Sequence, residues 1–337
     1  MQGMAYALAF LAAFTASLAG TGAVMVILRA RQILDHPNER SSHKQPVPRG
    51  AGIATSAVLI LATGAIAAIT AHEPEKMLAV PLAALALAVV SWIDDLRGLN
   101  PVLRLAIQFA AAIVAVPALA HSGLVFQGLL PPVFDQAAAV LLWVWFVNLF
   151  NFMDGIDGIA ASEAASIGIG IFALALIFPD AVSEPGTPLY AAVVAGAALG
   201  FLRWNWEPAK IFLGDVGSIP LGYLLGFLLL SLAAQGQWAA ALILPLYYMA
   251  DSGITLAVRL AAGEKIWQAH ARHFYQQAAR RLGSHVKVVR AIIAANLALI
   301  VFALLSATFP WPSVAAAAGV VAALLYYLAG AGARAGR

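Results

Sequence analysis

The sequence from residue 148 to residue 158 reads Asn-Leu-Phe-Asn-Phe-Met-Asp-Gly-Ile-Asp-Gly, and it lies between two long apolar runs, 137–147 and 159–178. Amide or acid side chains occupy every third position of this stretch: Asn148, Asn151, Asp154 and Asp157. On a helix, steps of three residues keep such side chains on one broad face. Polar groups this dense beside apolar runs are costly unless they have partners. The stretch therefore predicts a wet, charged site at a membrane boundary, and a polar loop with helix caps is the alternative.

The composition is that of a membrane protein with many spans. Of the 337 residues, 62% are hydrophobic and 10% are charged, and the mean hydropathy is +0.87. No soluble domain needs this much apolar surface, so the chain is predicted to be all-α and polytopic, in contact with the lipid bilayer. The sequence has no Cys, which excludes disulfides and thiolate metal sites. Nucleic acid is not an expected partner.

About eleven apolar runs are long enough to cross a bilayer at roughly 1.5 Å per residue. No basic residue precedes the first run, which is expected to be an uncleaved anchor. The predicted spans are 4–28, 51–71, 77–93, 102–120, 136–152, 159–178, 188–206, 214–234, 237–259, 289–309 and 311–331.

Lys and Arg are distributed unevenly between the two sets of loops. One side holds 18 of the 19 basic residues, and the opposite side holds only Lys76. The positive-inside rule then predicts a periplasmic N-terminus and a cytoplasmic C-terminus. A single transmembrane domain, 1–337, is expected, with cytoplasmic loops at 29–50 and 260–288.

Acidic residues also gather at the predicted inner boundary, for which the positive-inside rule gives no reason. Asp94 and Asp95 end one span, and Asp215 lies in a glycine-rich segment at the inner end of another. Neighbouring carboxylates repel unless a cation compensates, so one could hold a metal ion while the other faces a substrate. The alternatives are a polar helix end for the pair and a helix N-cap for Asp215.

The loop from 35 to 52 brings cationic side chains close to Pro and Gly residues. It contains His43, Lys44 and Arg49, a set that suits phosphate binding. A positive-inside loop without a ligand is the alternative.

The loop 260–288 contains a His-x-x-His motif. His270 and His273 are three residues apart and are predicted to share a helix face, with Arg272 between them. Together these side chains could receive a pyrophosphate. The remaining candidate metal ligands are all carboxylates, which favour Mg²⁺ or Mn²⁺ over zinc.

The positions of these groups favour an enzyme over a transporter. A transporter places its acids near the bilayer midplane, in broken helices. Here the acids lie at the cytoplasmic boundary, as expected for an enzyme with one cytosolic polar substrate and one lipid substrate. A transporter or flippase of lipid-linked sugars is the alternative, and a non-catalytic membrane scaffold is a third.

The motifs together resemble those of a known family. The pair Asp94-Asp95, the run 148–158, Phe212-Leu-Gly-Asp-Val-Gly-Ser and the loop 251–276 occur in the order typical of the polyprenyl-phosphate N-acetylhexosamine-1-phosphate transferases, which include WecA and MraY. The segment His-Ala-Arg-His-Phe-Tyr-Gln is most similar to WbpL-type enzymes that initiate O-antigen synthesis. It departs from the histidine cluster of MraY, so the resemblance implies a plain UDP-N-acetylated amino sugar as donor.

The resemblance also implies roles for single residues. Asp215 is the implied Mg²⁺ ligand, and Asp95 also belongs to the implied metal site. The implied catalytic residues are Asp94, Asp95, Asp154, Asp157, His270 and His273. The implied substrate-binding residues are Lys44, Arg49, Asn148, Asn151, Asn205, Phe212 and Arg272, with Asn205 and Phe212 at the uridine.

The implied reaction moves a hexosamine 1-phosphate from a UDP-N-acetylhexosamine to undecaprenyl phosphate and releases UMP. Its implied place is the cytoplasmic face of the bacterial inner membrane, where it would begin O-antigen or another cell-envelope glycan. Mg²⁺ is the implied cofactor, and Mn²⁺ could replace it. A homodimer is expected from the family alone. Direct attack by the lipid phosphate and a covalent phospho-Asp intermediate both fit the sequence.

Overall fold

The computed structural model describes residues 2–35, 45–265 and 270–330. This part of the chain is built almost entirely of helices, which confirms the predicted all-α fold. The two short strands pair in an antiparallel manner. The elements are α1 (Gln2–Ala30), β1 (Leu34–Asp35), β2 (Val47–Pro48), α2 (Gly52–Thr70), α3 (Pro74–Arg97), α4 (Pro101–Ser122), α5 (Pro132–Phe152), α6 (Ile159–Ile177), α7 (Thr187–Asn205), α8 (Asp215–Leu232), α9 (Trp238–Ile243), α10 (Leu246–Ala261), α11 (Phe274–Leu282), α12 (His285–Leu305) and α13 (Pro310–Gly330).

Ten helical stretches in the described ranges are long and apolar enough to cross a membrane. Each of them overlaps one of the predicted spans. The stretch from Asp215 to Ile243 passes through a π-helical turn, Ala233–Gln237, in which Gly236 has a φ of 90° and bends the chain. The orientation of the termini stays a prediction.

The remaining predicted span, 237–259, is not one helix. α9 ends at Ile243, and α10 begins at Leu246, directly after Pro245. Proline lacks an amide hydrogen, and its ring clashes with the carbonyl four residues earlier, so the helix is interrupted there. The 16 residues of α10 then lead to the loop that carries the predicted His-x-x-His motif.

α8 is the central helix of the bundle. Every residue from Val216 to Leu232 is buried, and the helix packs against α2, α3 and α5. A helix that is apolar on all sides is typical of a protein interior. Its first residue, Asp215, is therefore surrounded by the ends of several other elements.

α2 approaches α8 most closely at two glycines. A Cβ added at Gly52 would lie 2.2 Å from the Cα of Gly217, so only a residue without a side chain fits there. Backbone hydrogen bonds continue the contact, because the N–H groups of Gly50 and Ala51 donate to the carbonyl of Phe212 at 3.0 and 2.9 Å. The chain before α2 is thereby held against the start of α8.

Gly52→Ala is expected to destabilise the bundle by ~1–3 kcal/mol, because the added methyl group overpacks a backbone contact. Gly319→Ala on α13 is the matched control, since an added Cβ at that position has no atom within 4 Å. Thermal unfolding of both variants in detergent, followed by Trp fluorescence, measures the difference. Equal unfolding temperatures for the two variants would contradict the close contact.

Candidate active site

The amino end of α8 is the centre of the site. Gly214, with a φ of 75°, precedes the helix, and Asp215 is its first residue. The carboxylate of Asp95, near the end of α3, accepts hydrogen bonds from the backbone N–H groups of Asp215 (3.3 Å) and Val216 (3.0 Å). A carboxylate is favoured at this point because the N–H groups of a helix N-terminus carry partial positive charge. The structure thus brings the predicted acidic pair to Asp215.

Two arginines join these acids. Nη2 of Arg49 lies 2.8 Å from Oδ1 of Asp95 and 2.9 Å from Oδ1 of Asp215. Nη1 of Arg104 contacts Oδ2 of Asp94 and lies 3.3 Å from Oδ2 of Asp215. Three carboxylates therefore share two guanidinium groups, which offset the repulsion between them. We call these five side chains the acid–arginine cluster.

Arg104 is a member of this cluster that the sequence analysis did not predict. It lies in the first turn of α4, inside the predicted span 102–120. A charged side chain inside a membrane span is itself a sign of function, because it is costly there without a partner. That sign was present in the sequence.

Amide side chains of α5 complete the wall beside the cluster. Asn151 donates from Nδ2 to Oδ1 of Asp215 at 3.2 Å and to Oγ of Ser218 at 2.8 Å. Asn148, one turn earlier, donates to Oε1 of Gln108 on α4 at 2.6 Å. The two predicted asparagines thus lie on one face of α5, directed towards α4 and α8.

The two acids that follow them do not lie on this helix. α5 ends at Phe152, and Asp154 and Asp157 lie in the loop before α6. Gly155 lies so close to Tyr275 that an added Cβ would be 2.3 Å from the tyrosine hydroxyl. The prediction of one helix face for all four polar residues is therefore wrong, because the glycines and their packing end the helix.

Asp154 belongs to the same charged region. Desolvation raises the pKa of its carboxyl group, and so do the charges of Asp215 and Asp157, while Arg49 opposes them; the resulting pKa is about 8. Burial is the largest cause, and the neighbouring acids add to it, so a cation bound nearby would favour the ionised form of Asp154.

Asp157 and Asn205 hold the loops that follow α5 and α7. Oδ2 of Asp157 accepts from the backbone N–H of Ala209 at 3.0 Å, and its Oδ1 lies 3.4 Å from Nδ1 of His285. Asn205 is buried, and its Oδ1 accepts from the N–H of Gly158 at 2.8 Å. His285 begins α12 and lies 128 residues from Asp157, and no sequence signal predicts this contact.

The chain before α2 reaches the site through backbone contacts. The N–H of Phe212 donates to the carbonyl of Pro48 at 2.8 Å, which places half-buried Phe212 beside Arg49. Lys44, predicted to bind phosphate, lies outside the described residues, as does His43.

Asp251 fixes the segment that carries the second histidine. Its buried carboxylate lies 3.1 Å from Nδ1 of His273 and accepts from the backbone N–H groups of Phe274 (3.0 Å) and Tyr275 (3.1 Å). The hydroxyl of Tyr247 donates to the same carboxylate at 3.1 Å. His273 is only 2% exposed, so its ring is part of the packed start of α11. The hydroxyl of Tyr275 in turn donates to the carbonyl that ends α5, at 3.0 Å.

His270 and His273 do not share a helix face, because both precede the first residue of α11. Their rings still lie together, with centroids 4.8 Å apart. Desolvation and then the neighbouring positive charges lower the pKa of His270 to about 4. Arg272 contacts Glu264, which also pairs with Arg259 at 3.0 Å. The predicted basic loop thus has its own internal ion pairs.

A cavity of about 190 Å³ opens beside the acid–arginine cluster, between α3, α4, α5 and α8. Its lining combines polar side chains, among them Arg104, Gln108 and Asn148, with apolar ones, among them Leu87 and Leu105. This lining suits a ligand with an anionic head and a hydrocarbon tail.

The chemistry of the acids fits Mg²⁺. Within ranges 2–35, 45–265 and 270–330, no three acidic or His side chains come together as a complete metal site. Mg²⁺ usually needs only one or two carboxylates, because water and substrate phosphates supply the other oxygens. Asp215 and Asp95 present such oxygens, and Arg49 bridges them in the structure. These two residues would hold the ion.

Comparison with known proteins gives the family. The glycosyl transferase family 4 pattern matches residues 77–233, which include most of the acid–arginine cluster. The decaprenyl-phosphate N-acetylglucosaminephosphotransferase of Mycobacterium tuberculosis is 30% identical over 305 residues, which cover 80% of this chain and 74% of that protein. The chain belongs to the polyprenyl-phosphate N-acetylhexosamine-1-phosphate transferase family.

Two further relatives match a smaller part of the chain. The phospho-N-acetylmuramoyl-pentapeptide-transferase of Picosynechococcus is 34% identical over 229 residues, covering 62% of this chain and 60% of the relative. The decaprenyl-phosphate N-acetylglucosaminephosphotransferase of Mycolicibacterium smegmatis is 34% identical over 229 residues, covering 61% and 55%. The chain thus spans less than two thirds of the length of these two relatives.

Asp251→Asn is expected to loosen the start of α11 in this family member. An amide nitrogen would replace one acceptor oxygen, and a buried backbone N–H left without a partner costs ~1–3 kcal/mol. Hydrogen exchange of the α11 amides measures the change. Asp180→Asn, which changes an exposed acid between α6 and α7, is the control. Unchanged α11 exchange in Asp251→Asn would contradict this role.

Proposed function

We propose that this protein transfers an N-acetylated hexosamine 1-phosphate from a UDP-sugar to undecaprenyl phosphate and releases UMP. The observation that carries the proposal is the acid–arginine cluster beside a cavity lined by both polar and apolar side chains. Family membership supports the general reaction, since the relatives are polyprenyl-phosphate sugar phosphotransferases by name. The proposed location is the cytoplasmic face of the bacterial inner membrane.

The cavity provides a place for the lipid acceptor. The guanidinium group of Arg104 and the amide of Gln108 line the cavity, and Asn148 orients that amide by donating to its Oε1. A phosphate monoester accepts hydrogen bonds from such N–H groups. Leu87 and Leu105 line the same cavity and suit contact with the first isoprene units. Asp94 and Asp215 hold the guanidinium group of Arg104 at the cavity.

The reaction needs little base catalysis. The second pKa of a phosphate monoester is about 6, so the acceptor is largely dianionic at neutral pH. One acceptor oxygen forms a bond to the phosphorus that carries the sugar. The bond from that phosphorus to the bridging oxygen breaks, and UMP leaves with the electron pair. Asp94 orients the attacking phosphate through Arg104, with which it is paired.

The larger task is to bring two anionic substrates together. Arg49 and Arg104 supply two positive charges in contact with Asp215. Mg²⁺, when held by Asp215 and Asp95, supplies further charge neutralisation for the diphosphate. Positioning and charge neutralisation are the main contributions that enzymes make to phosphoryl transfer.

The proposed donor is a plain UDP-N-acetylhexosamine, and the proposed product begins O-antigen or another cell-envelope glycan. The segment from His270 to His273 supports this choice. It is followed by Tyr275, which contacts the end of α5 directly before the Asp154 loop, and Arg272 is exposed. Arg272 can form bidentate contacts with a diphosphate after it leaves Glu264.

UMP release tests the proposal directly. Purified protein in detergent is expected to release UMP from a UDP-N-acetylhexosamine only when both undecaprenyl phosphate and Mg²⁺ are present, and EDTA is expected to stop it. Asp215→Asn is expected to lower the rate ~100-fold or more, because it removes a proposed ligand of the Mg²⁺ that neutralises the transferring group. Exposed Glu75→Gln is the control. Lipid movement without UMP release would instead support the transporter alternative.

Arg104→Gln is expected to raise the KM for undecaprenyl phosphate ~10-fold or more, because a charge-assisted hydrogen bond to phosphate is lost. The KM for the UDP-sugar is expected to change much less. Arg97→Gln removes a charge at the exposed end of α3, shortly before α4, and serves as the control. Equal effects on both KM values would argue against a lipid-phosphate role for Arg104.

A further inference from the structure

A carboxyl group that the proposed reaction does not use is buried inside the bundle. Glu163 lies on α6, one turn after its start, and is fully buried. Within the described residues, its hydrogen-bond partner is Asn296 on α12, which donates from Nδ2 at 2.7 Å. Among the ion pairs of the described residues, none includes Glu163. A carboxylate in this position would be an uncompensated charge within apolar helices, which is very costly.

The hydrogen bonds around Glu163 leave two acceptors without a donor. In the described part of the chain, Oε1 of Glu163 and Oδ1 of Asn296 are both buried and have no partner. An ionised carboxylate has no hydrogen to donate, so it cannot satisfy the amide oxygen. One proton on Oε1 turns that atom into a donor and satisfies both atoms at once. Buried polar atoms are almost always paired in folded proteins.

The same two helices meet again at the edge of the site. Asp157 lies two residues before α6, and His285 is the first residue of α12, with Nδ1 of His285 3.4 Å from Asp157 Oδ1. α6 and α12 are therefore joined at two points, one at the site and one inside the bundle.

We propose that Glu163 carries a proton and forms a two-way acid–amide pair with Asn296, and that this pair positions α12 and His285 against the Asp157 loop. Asn296 donates to one oxygen of Glu163, and the protonated oxygen donates back to Asn296. Glu163 is a positioning residue in this arrangement and touches no substrate. The acid–amide pair stands on its own hydrogen bonds, and only its effect on turnover rests on the proposed function.

Three variants test the pair through stability. Glu163→Gln keeps one donor and one acceptor and is expected to change the unfolding temperature little. Glu163→Leu leaves the Asn296 amide unpaired and is expected to lower the unfolding temperature by ~5 °C. The double variant Glu163→Leu with Asn296→Leu removes both partners and is expected to recover most of that loss, because two apolar groups need no hydrogen bond.

Infrared spectroscopy detects directly whether the carboxyl group of Glu163 is protonated. The wild-type protein is expected to show the carbonyl stretching band of a protonated carboxylic acid at neutral pH, and Glu163→Gln is expected to remove it. UMP release by Glu163→Leu is expected to fall several-fold, with rescue in Glu163→Gln.

Two results would overturn the pair. The first is a carboxylic-acid band that does not differ between the wild-type protein and Glu163→Gln. The second is a Glu163→Gln variant that is as unstable as Glu163→Leu. Either result would mean that Glu163 is ionised and has a different partner. The band and the unfolding temperatures do not depend on any activity, so a failure of the proposed function is distinguishable from a failure of the pair.

Discussion

At the start of α8, the carboxylate of Asp95 accepts hydrogen bonds from two backbone N–H groups, and the rest of the site depends on this contact. It joins α3 to the central helix and places a second carboxylate, Asp215, beside the first. Two carboxylates this close repel each other, so the arrangement requires Arg49, which contacts both. Arg49 is available because the glycine contact between α2 and α8 holds the preceding chain over the helix end. Backbone packing inside the bundle thereby sets the charge balance at its edge.

Sequence patterns predicted the helices well where the deciding physics is local. Long apolar runs with polar ends give the membrane-crossing helices without any knowledge of their neighbours. Pro245 shows the limit of such reasoning. Pro81, Pro117 and Pro220 lie inside α3, α4 and α8 without ending them, whereas the chain is interrupted at Pro245. Neighbouring helices decide whether the freed backbone groups find partners, and the sequence of one segment does not contain that information.

The candidate site could be predicted as a set of residues but not as a set of contacts. The acids and amides could be recognised because polar groups in an apolar chain are costly unless they have partners or a function. Their partners lie far away in sequence, since Arg49 and Asp215 are 166 residues apart and Asp157 and His285 are 128 apart. Helical spacing carries no information about such pairs. It also misled for Asp154 and Asp157, because a loop that packs against Tyr275 replaces the expected helix.

The hydrogen-bond donors of each carboxylate indicate which carboxylates can exchange their partners during a reaction. The oxygens of Asp251 and Asp157 accept from backbone N–H groups, and those donors cannot leave unless a loop unfolds. In the described part of the chain, the oxygens of Asp215 accept only from side chains, two of them guanidinium groups that rotate and can exchange for a metal ion or a phosphate. Asp95 belongs to both classes, because it binds the start of α8 and also Arg49. A change at Asp95 therefore alters folding and chemistry together, whereas a change at Asp215 leaves the backbone of the site in place and isolates the chemistry.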